Sequence, residues 1–190
     1  MAFEEYLSAG VHIGMKQTVK DMRKFVYKIR PDGLAVLNVS LIDERLNIAA
    51  NFLTKFNNII VTSRKMVGQK PAIKFAEAVG AKSFIGRFLP GTVTNPSFPG
   101  YSEADVVIVT DPLVDKQAVT EAVKMRIPVI ALCDTFNETK NIDLVIPCNN
   151  KGKKALATIY WALAKKILLA KGDIKSEDEF KLKSSDFEAQ

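Results

Sequence analysis

The sequence predicts a doubly wound α/β domain, and three observations carry that expectation. Its apolar runs are short and continuous instead of alternating, as strands covered on both faces require. Segments with apolar residues at three- and four-residue steps lie between those runs. Hydrophobic residues fill 47% of 190 positions and charged residues 25%, which suits one sizeable core in a single domain. That balance excludes a wholly disordered chain, a collagen-like fibre and a miniprotein built on disulfides.

Taken in order, the strand candidates are residues 34–39, 59–62, 83–85, 106–110, 129–133 and 144–146. The first helix follows from Ile42, Leu46, Ala49, Leu53 and Phe56, with Ser40 as its expected N-cap. Ala72, Ile73, Ala76 and Val79 predict a second, closed by Gly80; Pro71 implies that it begins there or bends. Asp115 is the expected cap of a third, with Val119, Ala122 and Val123 inward. The fourth runs from about residue 153 to 170 and ends before Gly172. Alternating strands and helices of this kind make a mostly parallel sheet of five to six short strands flanked by helices.

Two stretches break the rhythm. Residues 86–101 are rich in glycine and proline, too long for an idle connection, and hold Phe88, Phe98 and Tyr101. Residues 10–30 form a basic arm with Phe25, Tyr27 and the only histidine, His12. The expected organisation is therefore one domain over 1–172, with an N-terminal helix and basic arm at 1–33 and the sheet and helices at 34–172. An acidic tail over 173–190 is expected to be flexible.

Charge separates these regions. The chain carries 27 Lys and Arg against 21 Asp and Glu, a net of +6. The last eighteen residues hold six acids and three lysines, so the body over 1–172 stands at +9. The body's bases concentrate at Lys16, Arg23, Lys24, Lys28 and Arg30 in the arm, at Arg64, Lys65 and Lys70 after the second strand, at Arg87 in the long loop, and at Lys151, Lys153 and Lys154, which open the last helix. A polyanion is the natural partner, and Thr94 and Asn95 lie in a loop able to lay backbone amides against a phosphate or sugar. Structured RNA is read largely through such contacts.

Other classes lack their chemistry. The first strand is not followed by GxGxxG, and no GxxxxGK[ST] occurs, so dinucleotide and P-loop readings have no anchor. Asp111 and Asp134 at strand ends could pair in a small-molecule or nucleotide site, and this stays open as the enzyme alternative; the simpler reading makes them turn residues. Cys133 has only His12 as a possible base. Cys133 and Cys148 match no metal-ligand spacing and read as buried, reduced thiols of a cytosolic chain, a disulfide between them being the alternative. The longest apolar stretch in a helical context, 155–164, is half of a membrane span, and the acidic start at Glu4 and Glu5 is unlike a signal peptide.

A set of stretches, in order over roughly residues 6–172, carries a resemblance. They are Ala9-Gly10-Val11-His12-Ile13-Gly14, with Tyr27-Lys28 and Asp32-Gly33; Thr62-Ser63-Arg64, with Gly68-Gln69 and Lys74-Phe75-Ala76; Gly86-Arg87-Phe88 through Pro90-Gly91-Thr92 to Thr94-Asn95; Val109-Thr110-Asp111-Pro112; and Ile130-Ala131-Leu132-Cys133-Asp134 leading to Ile146-Pro147-Cys148-Asn149-Asn150-Lys151-Gly152. The chain resembles small-subunit ribosomal protein family two, in the archaeal and eukaryotic branch. No sustained heptads occur, unlike the bacterial branch with its coiled-coil insertion. The resemblance implies a three-layer flavodoxin-like sheet and a non-catalytic structural role in the small ribosomal subunit, without cofactor or small-molecule substrate. The implied partners are small-subunit ribosomal RNA near the junction of head and body and neighbouring small-subunit proteins, in the cytoplasm. Pro96 departs from the family pattern, where glutamine is expected after Thr94-Asn95.

Overall fold

The computed structural model of the chain describes residues 3–174, 179–180 and 182–189. A short helix, α1 (Phe3–Ser8), opens it and is anchored by buried Tyr6, whose hydroxyl donates to Asp43 Oδ1 at 3.0 Å. The arm then crosses to a 3-10 turn, Lys20–Phe25, and enters β1 (Val26–Ile29). Gly33 at φ +83° turns the chain back into β2 (Ala35–Leu37), which pairs antiparallel with β1. The apolar run expected as the first strand of the main sheet therefore belongs to a separate two-stranded ribbon. Apolarity marked the strand, but its partner was decided by the turn at Asp32 and Gly33, where Arg30 N donates to Leu34 O at 2.9 Å.

Helix α2 (Val39–Leu53) starts two residues earlier than the Ser40 cap predicts. Asn38 is the N-cap, and its side chain accepts from Ser40 N at 3.0 Å. After it come β3 (Ile59–Ser63), α3 (Met66–Val79), β4 (Lys82–Ile85), β5 (Val106–Val109), α4 (Lys116–Lys124), β6 (Val129–Cys133), β7 (Leu144–Pro147) and α5 (Lys153–Lys171). Pro71 neither starts nor ends α3 but lies inside it, buried. Gly80 and Gly172 close α3 and α5 in the left-handed region at φ 78° and 83°, as expected of glycines past a helix end. In α4, Val119 and Ala122 are buried as predicted, whereas Val123 is exposed.

The main sheet has five parallel strands in the order β4-β3-β5-β6-β7, the flavodoxin-like arrangement. From β3 the chain steps outward to β4, then returns to β5 on the far side of β3. Right-handed crossovers in opposite directions put α3 and α4 on opposite faces. On the α3 face, α5 packs between α3 and α2; Phe75 of α3 meets Tyr160 of α5 with ring centroids 5.5 Å apart. The three central strands are buried along their whole length, which explains their unbroken apolar runs.

The tail that composition marks as flexible has described residues seated on this helical layer. Trp161 Nε1 donates to Leu182 O at 2.6 Å, the Phe180 ring lies 6.3 Å from that of Trp161, and Phe187 is wholly buried beside α3 and α5. Burying such a side chain stabilises by about 1.5–3 kcal/mol, a contribution that counting charges does not register. Residues 175–178, 181 and 190 lie outside the described residues.

Candidate nucleic-acid interface

The crevice of a doubly wound sheet opens where strand order reverses, here at the carboxyl ends of β3 and β5. In this protein its own side chains fill it. The ammonium of Lys65 forms an ion pair with Asp111 Oδ2 and donates to both Asn150 O and Asn150 Oδ1 at 3.1 Å. The other Asp111 oxygen accepts from Leu113 N and from Asn137 Nδ2, each at 2.9 Å. Asn137 Oδ1 accepts in turn from Asp134 N at 2.8 Å and Asn150 Nδ2 at 3.0 Å. Asp134 accepts from Thr135 N at 2.6 Å.

This network overturns the alternative of an enzyme site on Asp111 and Asp134. Both carboxylates are about 1% exposed; that of Asp111 ties the end of β5 to Lys65 after β3 and to Asn137 after β6, and that of Asp134 is taken up by the next backbone amide. It also corrects the role expected for Lys65, which faces inward and neutralises Asp111 instead of a phosphate. Cys133 is no nucleophile either. Burial, reinforced by the charges of Asp111 and Asp134, pushes its thiol up, and burial raises Cys148 as well. Both cysteines are free.

Asp115 was the expected cap of α4. It stands at the N-cap position, yet its carboxylate reaches away from that helix, accepting from Arg64 N at 2.8 Å and Asp111 N at 3.3 Å. Burial is the largest influence on it and raises its pKa to about 6, against those two backbone hydrogen bonds, while the charge of Asp111 raises it further. An unfolded carboxyl titrates lower, so the folded state holds this proton more tightly and gains stability as pH falls through 6. Between pH 7 and 5 the gain from this group should be about 1 kcal/mol. Urea unfolding at both pH values should show that increment in the native chain relative to Asp115→Asn, which cannot titrate there.

The long loop is held by Glu121 of α4. Its carboxylate accepts from Gly91 N at 3.0 Å, Val93 N at 3.2 Å, Thr94 Oγ1 at 3.2 Å and Gln117 Nε2 at 2.8 Å. Burial alone would raise its pKa, but these hydrogen bonds outweigh it and hold the carboxyl below its ordinary value. Thr94 is thereby engaged inside the protein, and Asn95 Oδ1 accepts from Ser97 N at 3.1 Å within its own turn. Pro96 follows in that exposed turn. Arg87 remains exposed, and together with Arg64 it lines one recess beside Phe88, Pro90 and Gln117. Two guanidiniums from the ends of adjacent strands thus share a rim that sequence places 23 residues apart.

The arm is pinned at both ends of its crossing. Thr135 Oγ1 accepts from Met15 N at 2.9 Å and donates to Gln17 O at 3.0 Å, and Val19 N donates to Thr135 O at 2.9 Å. Asn149 N donates to Val11 O at 2.9 Å, and its side chain donates to Gly10 O at 3.2 Å. The carbonyl of half-buried His12 accepts from Leu37 N at 2.8 Å. On this fixed backbone Lys16, Arg23, Lys24, Lys28 and Arg30 are all exposed. Lys24 Nζ lies 5.1 Å from the Phe25 ring, and Arg30 pairs loosely with Asp32 at 3.4 Å.

Lys151 joins the arm, since its ammonium contacts Met15 Sδ and lies 4.3 Å from the Phe136 ring. Lys70 and Lys153 line one shallow recess with Met66, Ile73 and Ala189. Lys154 faces another that includes Glu5 and Glu188, so acids accompany it. The structure therefore gathers the arm with Lys151, Arg64 with Arg87, and Lys70 with Lys153, and engages Lys65 and the Thr94 hydroxyl in internal contacts, while Asn95 stays exposed in its turn. Glu121 and Asn137 organise these surfaces and were not singled out from sequence; Asn150, the partner of Asn137 in the network, entered there only as part of a motif. A polar residue on an amphipathic helix or in a loop reads as solvated until its partners are known. Among the described residues no helix is long and apolar enough to cross a membrane.

A model of the family described as Ribosomal protein S2 matches residues 101–170. The chain is 49% identical over 189 residues to the small ribosomal subunit protein uS2 of Picrophilus torridus, covering 98% of this chain and 94% of that protein. It is 50% identical over 189 residues to the protein of the same name from Thermoplasma acidophilum, covering 98% and 95%. It is 54% identical over 181 residues to that from Haloquadratum walsbyi, where it covers 93% of this chain but spans only 65% of the relative's length. Identity at this level across almost the whole of two relatives shows that the chain belongs to the ribosomal protein S2 family.

Proposed function

We propose that the protein is a structural constituent of the small ribosomal subunit, in the cytoplasm, that binds the subunit's RNA near the junction of head and body and supports its assembly. Neighbouring small-subunit proteins are its further partners. Membership of a ribosomal-protein family goes with a structural, non-catalytic role, and the relatives are named as small-subunit proteins. The observation that carries the RNA reading is the exposure of Lys16, Arg23, Lys24, Lys28 and Arg30 on a backbone pinned to the ends of β6 and β7. Ordering a flexible basic tail costs conformational entropy on binding; a pinned arm has met that cost during folding.

Arg64 with Arg87, Lys70 with Lys153, and Lys151 extend the surface. Arginines there can fork onto a phosphate or stack, whereas the lysines act as point charges. Lys154, beside Glu5 and Glu188, contributes less. Cosedimentation with small subunits from cell lysate tests partner and place together. For the interface itself, Lys24→Gln with Lys28→Gln should weaken RNA binding and lower the slope of log affinity against log salt by about 1–2. RNA affinity in the native chain that is indifferent to salt would sink the reading.

A further inference from the structure

We infer that Tyr27 is a stacking platform for an unpaired RNA base. The inference deepens the RNA-binding reading and rests on it. The ribbon of β1 and β2 departs from regular pairing at one place: Val26 faces Leu37 and Lys28 faces Val36, which leaves Tyr27 as the extra residue of a bulge. Bulges re-aim a side chain and interrupt the alternation of a strand. The result is a β1 whose burial stops at Val26, with Tyr27 70% exposed and Ile29 66% exposed. Among the described residues the Tyr27 hydroxyl has no hydrogen-bond partner, and no ring or cation lies against its face. The fold does not use this side chain.

Its surroundings select the occupant. Lys24, Lys28 and Arg30 are exposed within three residues on either side, and among the described residues β1 pairs with no strand but β2. A protein docking an apolar patch here would have to strip water from those cations or supply acids for each of them. A nucleic-acid strand brings one phosphate per base, so the ring and its flanking cations are satisfied by the same ligand. Stacking on an aromatic face is available only to bases outside a helix. Paired bases already stack on one another, and A-form grooves present edges and sugars instead of faces. The bulge therefore adds to a charge-driven surface a group that prefers a loop, an internal bulge or a strand end.

The test uses the full chain and two probes, a short oligoadenylate and a blunt RNA duplex of equal length, with Tyr27→Leu and Tyr27→Phe variants. Tyr27→Leu should bind oligoadenylate about tenfold more weakly, a typical loss for one stacked base, with its salt slope unchanged. Tyr27→Phe should retain native affinity, and both variants should bind the duplex as the native chain does. Thermal unfolding should be the same in all three, since the side chain is exposed. Unchanged oligoadenylate binding by Tyr27→Leu, an equal loss on duplex, or a loss that phenylalanine does not restore would overturn the proposal while leaving RNA binding in place. So would a Tyr27→Leu defect in cosedimentation with subunits but not with oligoadenylate, which would put a protein against the ring. Failure of the native chain to bind either RNA would overturn both this inference and the reading it rests on.

Discussion

Lys65→Met should destabilise the protein by about 3–5 kcal/mol, the usual cost of leaving a buried charge without its partner. Asp111 is 1% exposed, and the Lys65 ammonium is its counter-charge. Methionine keeps the volume of the side chain but removes that charge and both donations to Asn150. In a chain of this length the melting temperature should fall by roughly 10 °C. Adding Asp111→Asn should recover part of the loss, because the penalty comes from the stranded carboxylate. The neighbouring Arg64→Met should barely change stability, its side chain being exposed, yet should weaken RNA binding. Two adjacent cations at one strand end thus separate by assay: thermal unfolding reads Lys65, and RNA titration reads Arg64. Equal stability of both variants would show that Lys65 is no part of the internal network.

Gly14→Ala should loosen the whole basic arm. A Cβ at position 14 would stand 2.5 Å from Thr135 Cγ2 and 3.0 Å from the Ala35 carbonyl oxygen. The Thr135 side chain cannot rotate aside cheaply, because its hydroxyl bridges Met15 N and Gln17 O. Overpacking of this kind costs about 1–3 kcal/mol, and moving the arm away from β2 and Thr135 relieves it. Hydrogen exchange should therefore speed up at the amides of Gly14, Met15 and Val19 while α5 stays protected. RNA affinity should fall although no charge has been removed. Arm amides as protected as in the native chain would show that the arm is not held by this close approach. Gly68 repeats the design under α3, where a Cβ would lie 2.5 Å from Ser63 Oγ and 2.8 Å from Thr110 Cγ2.

These two glycines also explain why ordered motifs identify the chain. Gly14 ends the Ala9–Gly14 stretch and Gly68 belongs to the Thr62–Gln69 stretch, and both are places where one extra carbon collides with a strand end. Asp111, Asn150 and Asp134, each inside one of these stretches, are likewise members of a single buried network, brought together from three strand ends. Motifs far apart in sequence read as one signature because they meet in one place.

The sequence by itself determined the α/β class, a mostly parallel sheet of five to six strands with its helices, the ends of α3 and α5, and the basic character of the arm. Each of these follows from local physics. Continuous apolar runs mark strands buried on both faces, three- and four-residue spacing marks helices, glycine past the last turn closes them, and uneven charge marks a polyanion surface. What only the tertiary structure decided were the partners. The run at 34–39 became a ribbon with the arm instead of a strand of the main sheet. Lys65 and the Thr94 hydroxyl turned inward while Arg64, Arg87 and Asn95 stayed exposed. Phe180 and Phe187 packed described residues of the acidic tail against the helical layer, with Leu182 O accepting from Trp161. A lysine in sequence is a charge at a position; whether it meets an aspartate, a carbonyl or water depends on residues tens of positions away, and local pattern carries no record of them.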